Sequence, residues 1–212
     1  MIFRLDDQIA FPDPELAEPD GLLAIGGDLS VGRMMLAYRN GIFPWYNDDT
    51  PILWYSPHER FVLFPDELKT TKSMRHVLRS GQFMVTKDKC FDDVVEACSH
   101  MARRGQDGTW ITDDMKKAYS RLHQYGHAHS VEVWEHDKLV GGLYGVQVGK
   151  VFCGESMFSR VSNASKTALI WLCNSDLFTL IDCQVYTEHL ESMGARMIGR
   201  QEYMNWLIDL NN

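Results

Sequence analysis

Two stretches put an acidic residue into an otherwise apolar, strand-like run: "VFCGESMFSR" (151–160), with Glu155, and "LIDCQV" (180–185), with Asp182 and Gln184. Burying a carboxylate is costly unless it is paired or hydrogen-bonded. A single acid of this kind is more often structural, held by backbone N–H groups or here by Lys166. Two of them on core strands, beside the serine of "GES" and the glutamine of "DCQ", point instead to a site. Strand alternation predicts Asp182 and Gln184 on one face and Cys183 packed on the other. By the same alternation, if no bulge intervenes, Glu155 shares a face with Cys153 and Met157. Such a set can handle an amine: a carboxylate accepts a proton, whereas an amide oxygen only accepts hydrogen bonds. An acid-lined cleft suits a cationic or amine substrate, and amine-to-acyl transfer is natural chemistry there. No His/Cys spacing suggests a metal, and His127 and His129 read as turn and sheet packing. A thiol hydrolase would need a histidine beside Cys153, and the sequence names none.

The 212 residues suffice for one large domain or a small and a medium one, and the hydrophobic fraction of 45% is that of a chain with a real core. No basic-plus-apolar leader stands at the N-terminus, and no apolar run approaches the roughly 20 residues that span a bilayer. Five cysteines without a CxxC pair argue against a zinc ribbon or disulfide framework and suit a reducing cytoplasm. The net charge of -8 makes the surface as a whole a poor polyanion binder, so a nucleic-acid partner needs a local basic patch.

The elements that must position the acids follow from the apolar periodicity. Six of the seven prolines precede Phe61, so the start reads as a separate small module, bounded at 1–62, with one helix in "SVGRMMLAYRN" capped by Ser30. Residues 63–212 read as a regular domain. It has helices over 70–80, 91–102, 113–126 and 163–177, strands over 83–88 and 129–135, two long strands "KLVGGLYGVQV" and "KVFCGESMFS", the strand "TLIDCQVY", and a last helix "QEYMNWLIDL". An antiparallel meander followed by helix, strand and helix gives an α+β fold with a mixed, largely antiparallel sheet flanked by helices. Acyltransferases of the N-acetyltransferase type use that order.

Turning ~100° per residue from Lys69 places Lys69, Lys72, Arg75, His76 and Arg79 on one side of the 70–80 helix, opposite Met74, Val77 and Leu78. Most such faces are merely solvated, but this one lacks acids in an acidic chain and is a candidate polyanion site. Of six tryptophans, Trp45, Trp54 and Trp110 fall in Gly/Pro/Asp-rich stretches, where they staple loops or offer stacking faces to a base.

Taken in order, "EPDGLLAIGGDLS", "AYRNGIFPWY", "PILWYSP", "GTWIT", "HAHSVEVW", "LVGGLYGV", "FCGESMFSR", "NASKTAL" and "LIDCQV" closely resemble the leucyl/phenylalanyl-tRNA–protein transferases of bacteria, over about residues 10–208. The resemblance implies transfer of Leu or Phe, with Met as a further possibility, from aminoacyl-tRNA to the N-terminal Arg or Lys of an acceptor protein, marking it for degradation through the N-degron pathway. It implies a small N-terminal domain on an N-acetyltransferase-like domain, with Glu155, Asp182 and Gln184 as functional residues and Trp45 and Trp110 near the aminoacyl-adenosine end. The donor is an activated ester, so neither metal nor other cofactor is expected. The attacking α-amine, of pKa about 7.7–8.0, must lose a proton. Gln184 is assigned to hold the amine with Asp182 behind it, either as a base that accepts or relays the proton or only orienting Gln184 and the amine, and Glu155 to bind the donor's ammonium or position the amine. Leu143, Met157 and Leu169 are candidates for the apolar side-chain pocket, and Lys69, Lys72, Arg75 and Arg79 for the tRNA. A cytoplasmic monomer is expected. Two rivals remain. A CoA-dependent N-acetyltransferase would want a Gly-rich loop where this chain reads "SRVSNASKTAL", without glycine. A non-catalytic RNA-binding module leaves Glu155, Asp182 and Gln184 unexplained.

Overall fold

Four short runs of extended residues in the proline-rich start pair with one another, and the alternating apolar runs downstream build a larger sheet beside them. The computed structural model describes residues 2–101 and 111–208. In chain order the elements are β1 (Phe3–Leu5), β2 (Leu22–Gly26), α1 (Val31–Arg39), β3 (Phe43–Pro44), β4 (Leu53–Tyr55), β5 (Glu59–Leu63), α2 (Lys72–Arg79), β6 (Met84–Lys87) and α3 (Phe91–Ser99). They continue as α4 (Asp113–Gln124), β7 (Ala128–Glu135), β8 (Lys138–Val148), β9 (Val151–Ser159), α5 (Ala164–Cys173), β10 (Leu180–Gln184), α6 (Glu188–Ser192), β11 (Arg196–Gly199) and α7 (Arg200–Ile208).

Strands β1–β4 form a four-stranded sheet in the order β1-β2-β4-β3. The others form a seven-stranded sheet in the order β11-β5-β10-β9-β8-β7-β6. It is antiparallel except for β9 and β10, joined in parallel through α5. The fold is thus α+β with a mixed, largely antiparallel sheet, in the expected meander–helix–strand order. Helices α1, α3, α4 and α7 pack on one face and α2, α5 and α6 on the other. The helix starts are set by local chemistry. Ser30, Thr71 and Thr112 each cap a helix by accepting a backbone N–H, from Arg33, Met74 and Met115.

The first sixty residues hold more regular structure than their prolines suggest. Their strands were not legible because they are short, from two to five residues. Strand β5 belongs to the large sheet, so the chain enters that sheet at Glu59, and a division between 62 and 63 falls within a strand. One buried cluster runs from Leu23 and Trp54 through Tyr38 and Val62 to Tyr144 and Cys153, so the two sheets share a core. Trp54 is fully buried in it, its Nε1 donating to the Gly26 carbonyl at 2.9 Å, and offers no stacking face.

Both strands that carry the acids are irregular at the acids. Between β8 and β9 the register shifts after Tyr144↔Ser156 and Gly145↔Gly154, leaving Glu155 as an extra residue. Between β10 and β5 it shifts between Asp182 and Gln184, and Gln184 has φ 62. A bulge inverts the alternation beyond it. Met157 therefore packs toward α5, on the face opposite Cys153, so of the expected common face only Glu155 and Cys153 remain together.

Gly145 makes the first bulge possible. A Cβ there would stand 2.2 Å from the Cys153 carbonyl oxygen and 2.6 Å from the Phe152 ring. Gly145→Ala is therefore expected to cost about 1–3 kcal/mol as overpacking against backbone. Urea denaturation checks this, and an unchanged midpoint would contradict the close packing.

Candidate functional site

The parallel pairing of β9 and β10 stops after three residue pairs, the last being Asp182↔Cys153. Beyond it β9 stays with β8 as far as Ser159, while Gln184 pairs with Phe61 on β5. The two strands part, and the gap opens into a cavity of about 580 Å³. Its walls include Leu143, Phe152, Met157, Leu169, Leu172 and Ile181, with Trp45 and Glu155, Asp182, Cys183 and Gln184. The three apolar candidates thus lie in the same cavity as the acids and the amide. Cys183 packs on the face opposite Asp182, as expected, and from there lines the cavity too. The apolar half of the cavity lies on the α5 face, and alternation from buried Asp182 turns Cys183 that way.

Glu155 closes the inner end where the strands part. Its Oε1 accepts from Tyr38 Oη at 2.7 Å and Gln184 Nε2 at 2.9 Å, and its Oε2 from Tyr119 Oη at 2.5 Å. Tyr38 comes from the last turn of α1 and Tyr119 from α4, so three separate elements hold one carboxylate. Glu155 is 7% exposed. Burial raises its pKa from the ordinary 4.5 to about 7, with the three hydrogen bonds opposing and the nearby Asp182 carboxylate adding to the rise. A carboxyl poised there can accept a proton from an amine near neutral pH. Both tyrosine hydroxyls are held well above their usual range, first by burial and then by Glu155, and so remain donors.

Asp182 is differently placed. It is fully buried, and donors crowd both oxygens. Oδ1 accepts from Arg60 Nε at 3.3 Å and from the Gln184 backbone N–H at 2.9 Å. Oδ2 accepts from Tyr203 Oη at 2.8 Å and makes a short ion pair with the Arg60 guanidinium. Burial works against the Arg60 charge and the Asp182 carboxylate more than restores it. With both oxygens engaged by these donors, the geometry favours the second of the two roles expected for Asp182, orienting Gln184. Lys166 holds neither acid. The partners besides Gln184 are Tyr38, Tyr119, Arg60 and Tyr203, and of these Arg60 carried the same signal as the acids, a charge before the apolar run Phe61-Val62-Leu63.

The other candidates divide. Trp45 is 40% exposed at the cavity, with Tyr55 against it at 5.8 Å between ring centroids. Trp110 lies outside the described residues. Lys72, Arg75 and Arg79 are exposed on α2, but Lys69 precedes the helix, whose cap is Thr71, and Leu78 is 39% exposed, so only Met74 and Val77 turn inward. Cys153 is fully buried, and burial and then Asp182 push its thiol well above its usual range, which leaves no thiolate for a hydrolase. Among the described residues no group of three or more His, Cys, Asp or Glu side chains is placed to hold a metal ion, and no helix is long and apolar enough to cross a membrane.

Between pH 4.5 and about 7 the folded protein keeps a proton on Glu155 that the unfolded chain has released. Stability therefore falls as pH rises through that window, by about 3 kcal/mol at ~1.4 kcal/mol per pH unit. Glu155→Gln should remove this fall while leaving the other pH dependences in place. Paired urea titrations from pH 4 to 8 measure it, and parallel curves for the two proteins would exclude a raised Glu155.

The leucyl/phenylalanyl-tRNA protein transferase pattern matches residues 62–208, and the pattern of that family's N-terminal domain matches residues 27–58. Leucyl/phenylalanyl-tRNA–protein transferases are similar along nearly their whole length. That of Syntrophobacter fumaroxidans is 56% identical over 98% of this chain and 90% of its own. That of Syntrophus aciditrophicus is 58% identical over 95% and 86%. That of Flavobacterium psychrophilum is 51% identical over 96% and 98%. A GCN5-related N-acetyltransferase from Kribbella flavida is a distant structural likeness, with TM-score 0.39 and 8% identity over 80% of this chain and 57% of that one. With relatives this similar over this much of its length, the chain belongs to the leucyl/phenylalanyl-tRNA protein transferase family.

Proposed function

We propose that the protein transfers Leu or Phe from its aminoacyl-tRNA to the α-amine of an N-terminal Arg or Lys on an acceptor protein. Family membership supports the reaction class. The observation that carries the site assignment is the cavity between the parting strands, apolar toward α5 and closed at its inner end by the Glu155–Gln184 bridge. The donor's side chain fills the part lined by Leu143, Met157 and Leu169, with Phe152, Leu172 and Ile181 as further walls. Such a pocket separates apolar side chains by only about 1–3 kcal/mol per methylene, which suits a donor set of more than one amino acid. Trp45 meets the terminal adenosine at the mouth, and Trp110 is proposed to join it.

Ester aminolysis needs the acceptor's ammonium to lose one proton, the amine to attack the ester carbonyl, and the tRNA's terminal hydroxyl to leave with a proton. Glu155 is the proton acceptor in this reading: it lines the cavity, and its pKa of about 7 lies close to that of an α-amine. Gln184 offers its amide oxygen to the amine, since one of its two amide N–H groups is held by Glu155 and only the oxygen can accept from an ammonium. Asp182 orients Gln184 from behind. The carboxylate favours a cationic acceptor. A monomer is the proposed state, and the cytoplasm, where aminoacyl-tRNA is made, is the proposed location. Marking the acceptor for degradation is the proposed consequence.

Incubation with Leu-tRNA and an Arg-starting peptide is expected to lengthen the peptide by one leucine, while acetyl-CoA with the same peptide gives no acetylation. Acetylation without leucine transfer would favour the CoA enzyme, and tRNA binding without either would favour an RNA-binding module. Arg75→Ala combined with Arg79→Ala should weaken full-length aminoacyl-tRNA but spare an aminoacyl-adenosine donor. If both groups contact phosphate, the slope of log affinity against log salt flattens by about two units, at ~0.9 per contact. An unaltered slope would leave α2 a solvated face.

A further inference from the structure

We propose that Arg60 is a positioning residue of this site: it clamps Asp182, and through Asp182 the left-handed turn that lays the Gln184 amide on Glu155. This rests on the aminoacyl-transfer reading and deepens it.

The argument starts from the backbone. Gln184 has φ 62, a conformation that a side chain with a Cβ disfavours and that glycine or asparagine takes more readily. What holds it is the bond from its own N–H to Asp182 Oδ1 at 2.9 Å, two residues back. That oxygen is useful only if the carboxylate keeps one rotamer. Arg60 grips both oxygens at once, Oδ1 through Nε and Oδ2 through the terminal nitrogen, as a planar fork can and an ammonium cannot. Tyr203 Oη seals Oδ2 from α7.

The guanidinium is itself fixed. It lies between the rings of Phe43, at 4.7 Å, and Tyr203, at 4.6 Å. Its other terminal nitrogen donates to the Gly41 carbonyl at 3.1 Å. Gly41 follows α1 closely, three residues after Tyr38, whose hydroxyl donates to Glu155. One buried cation thus braces both arms of the cradle: the tyrosine arm through the end of α1 and the glutamine arm through Asp182. Arg60 is 1% exposed and is not among the cavity's walls, so it acts through these neighbours and not on substrate.

Arg60→Lys keeps the charge and loses the fork. The expected result is a fall in kcat of about tenfold with KM for donor and acceptor within about twofold, and, on a Gln184→Ala background, a change of less than about twofold, because the route to the amine is already cut. An equal fall on both backgrounds, or no fall, would overturn the proposal and leave Arg60 a structural ion pair. Amide hydrogen exchange at Gln184 gives a second readout that needs no activity. Exchange of its N–H should be at least about tenfold faster in Arg60→Lys, and faster than normal in Tyr203→Phe, which deletes one donor to Asp182 but keeps the ring. Unchanged exchange in both variants would overturn the proposal. If the unmodified protein transfers no amino acid, the functional reading fails, while the exchange result still decides whether Arg60 holds the turn.

Discussion

Two parallel strands that pair for only three residues and then part are the constraint on which the site depends. A continuous β9–β10 ladder would leave no room between them. Parting exposes polar backbone, and each strand finds other partners: β9 stays with β8 and β10 with β5. Both ladders pay for the divergence in register, with Glu155 as the extra residue on one side and the turn at Gln184 on the other. The two chemically distinctive residues stand at the irregularities because that is where alternation is suspended and a side chain can be re-aimed.

The two buried carboxylates then acquire different environments. Asp182 is surrounded by a cation, a tyrosine and a backbone N–H, all of which stabilise its charge. Glu155 has only neutral donors, two hydroxyls and an amide, and its pKa rises to about 7. Two acids less than thirty residues apart thereby sit among different donors, one beside a guanidinium and the other among neutral groups. That difference follows from which donors the neighbouring elements present and not from the acids themselves.

The small N-terminal sheet belongs to this arrangement. Tyr38 and the Gly41 carbonyl come from α1 and its end, and Trp45 and Phe43 from the segment that follows. Their shared core with the large sheet means that the site is built across both parts of the chain.

Much of this was legible in the residues. The periodic segments beyond Phe61 formed the helices and strands their spacing demanded, most of them a few residues shorter among the described residues, the short α6 and β11 went unread, and Ser30 capped α1 as read. The buried acids drew notice because a charge inside an apolar run has to be explained by a partner, and the long ordered motifs were enough to identify the family. Alternation could not reveal that Glu155 and Gln184 sit at bulges, since register is a property of two strands and the steric reason, such as the crowding at Gly145, lies on the neighbour. Nor could it name Arg60, 122 residues away from Asp182, as the counter-ion. Which donors each acid meets was decided only by the fold, because a carboxyl's partners are neighbours in space and not in sequence, and burial among neutral donors is what raises the Glu155 pKa to about 7.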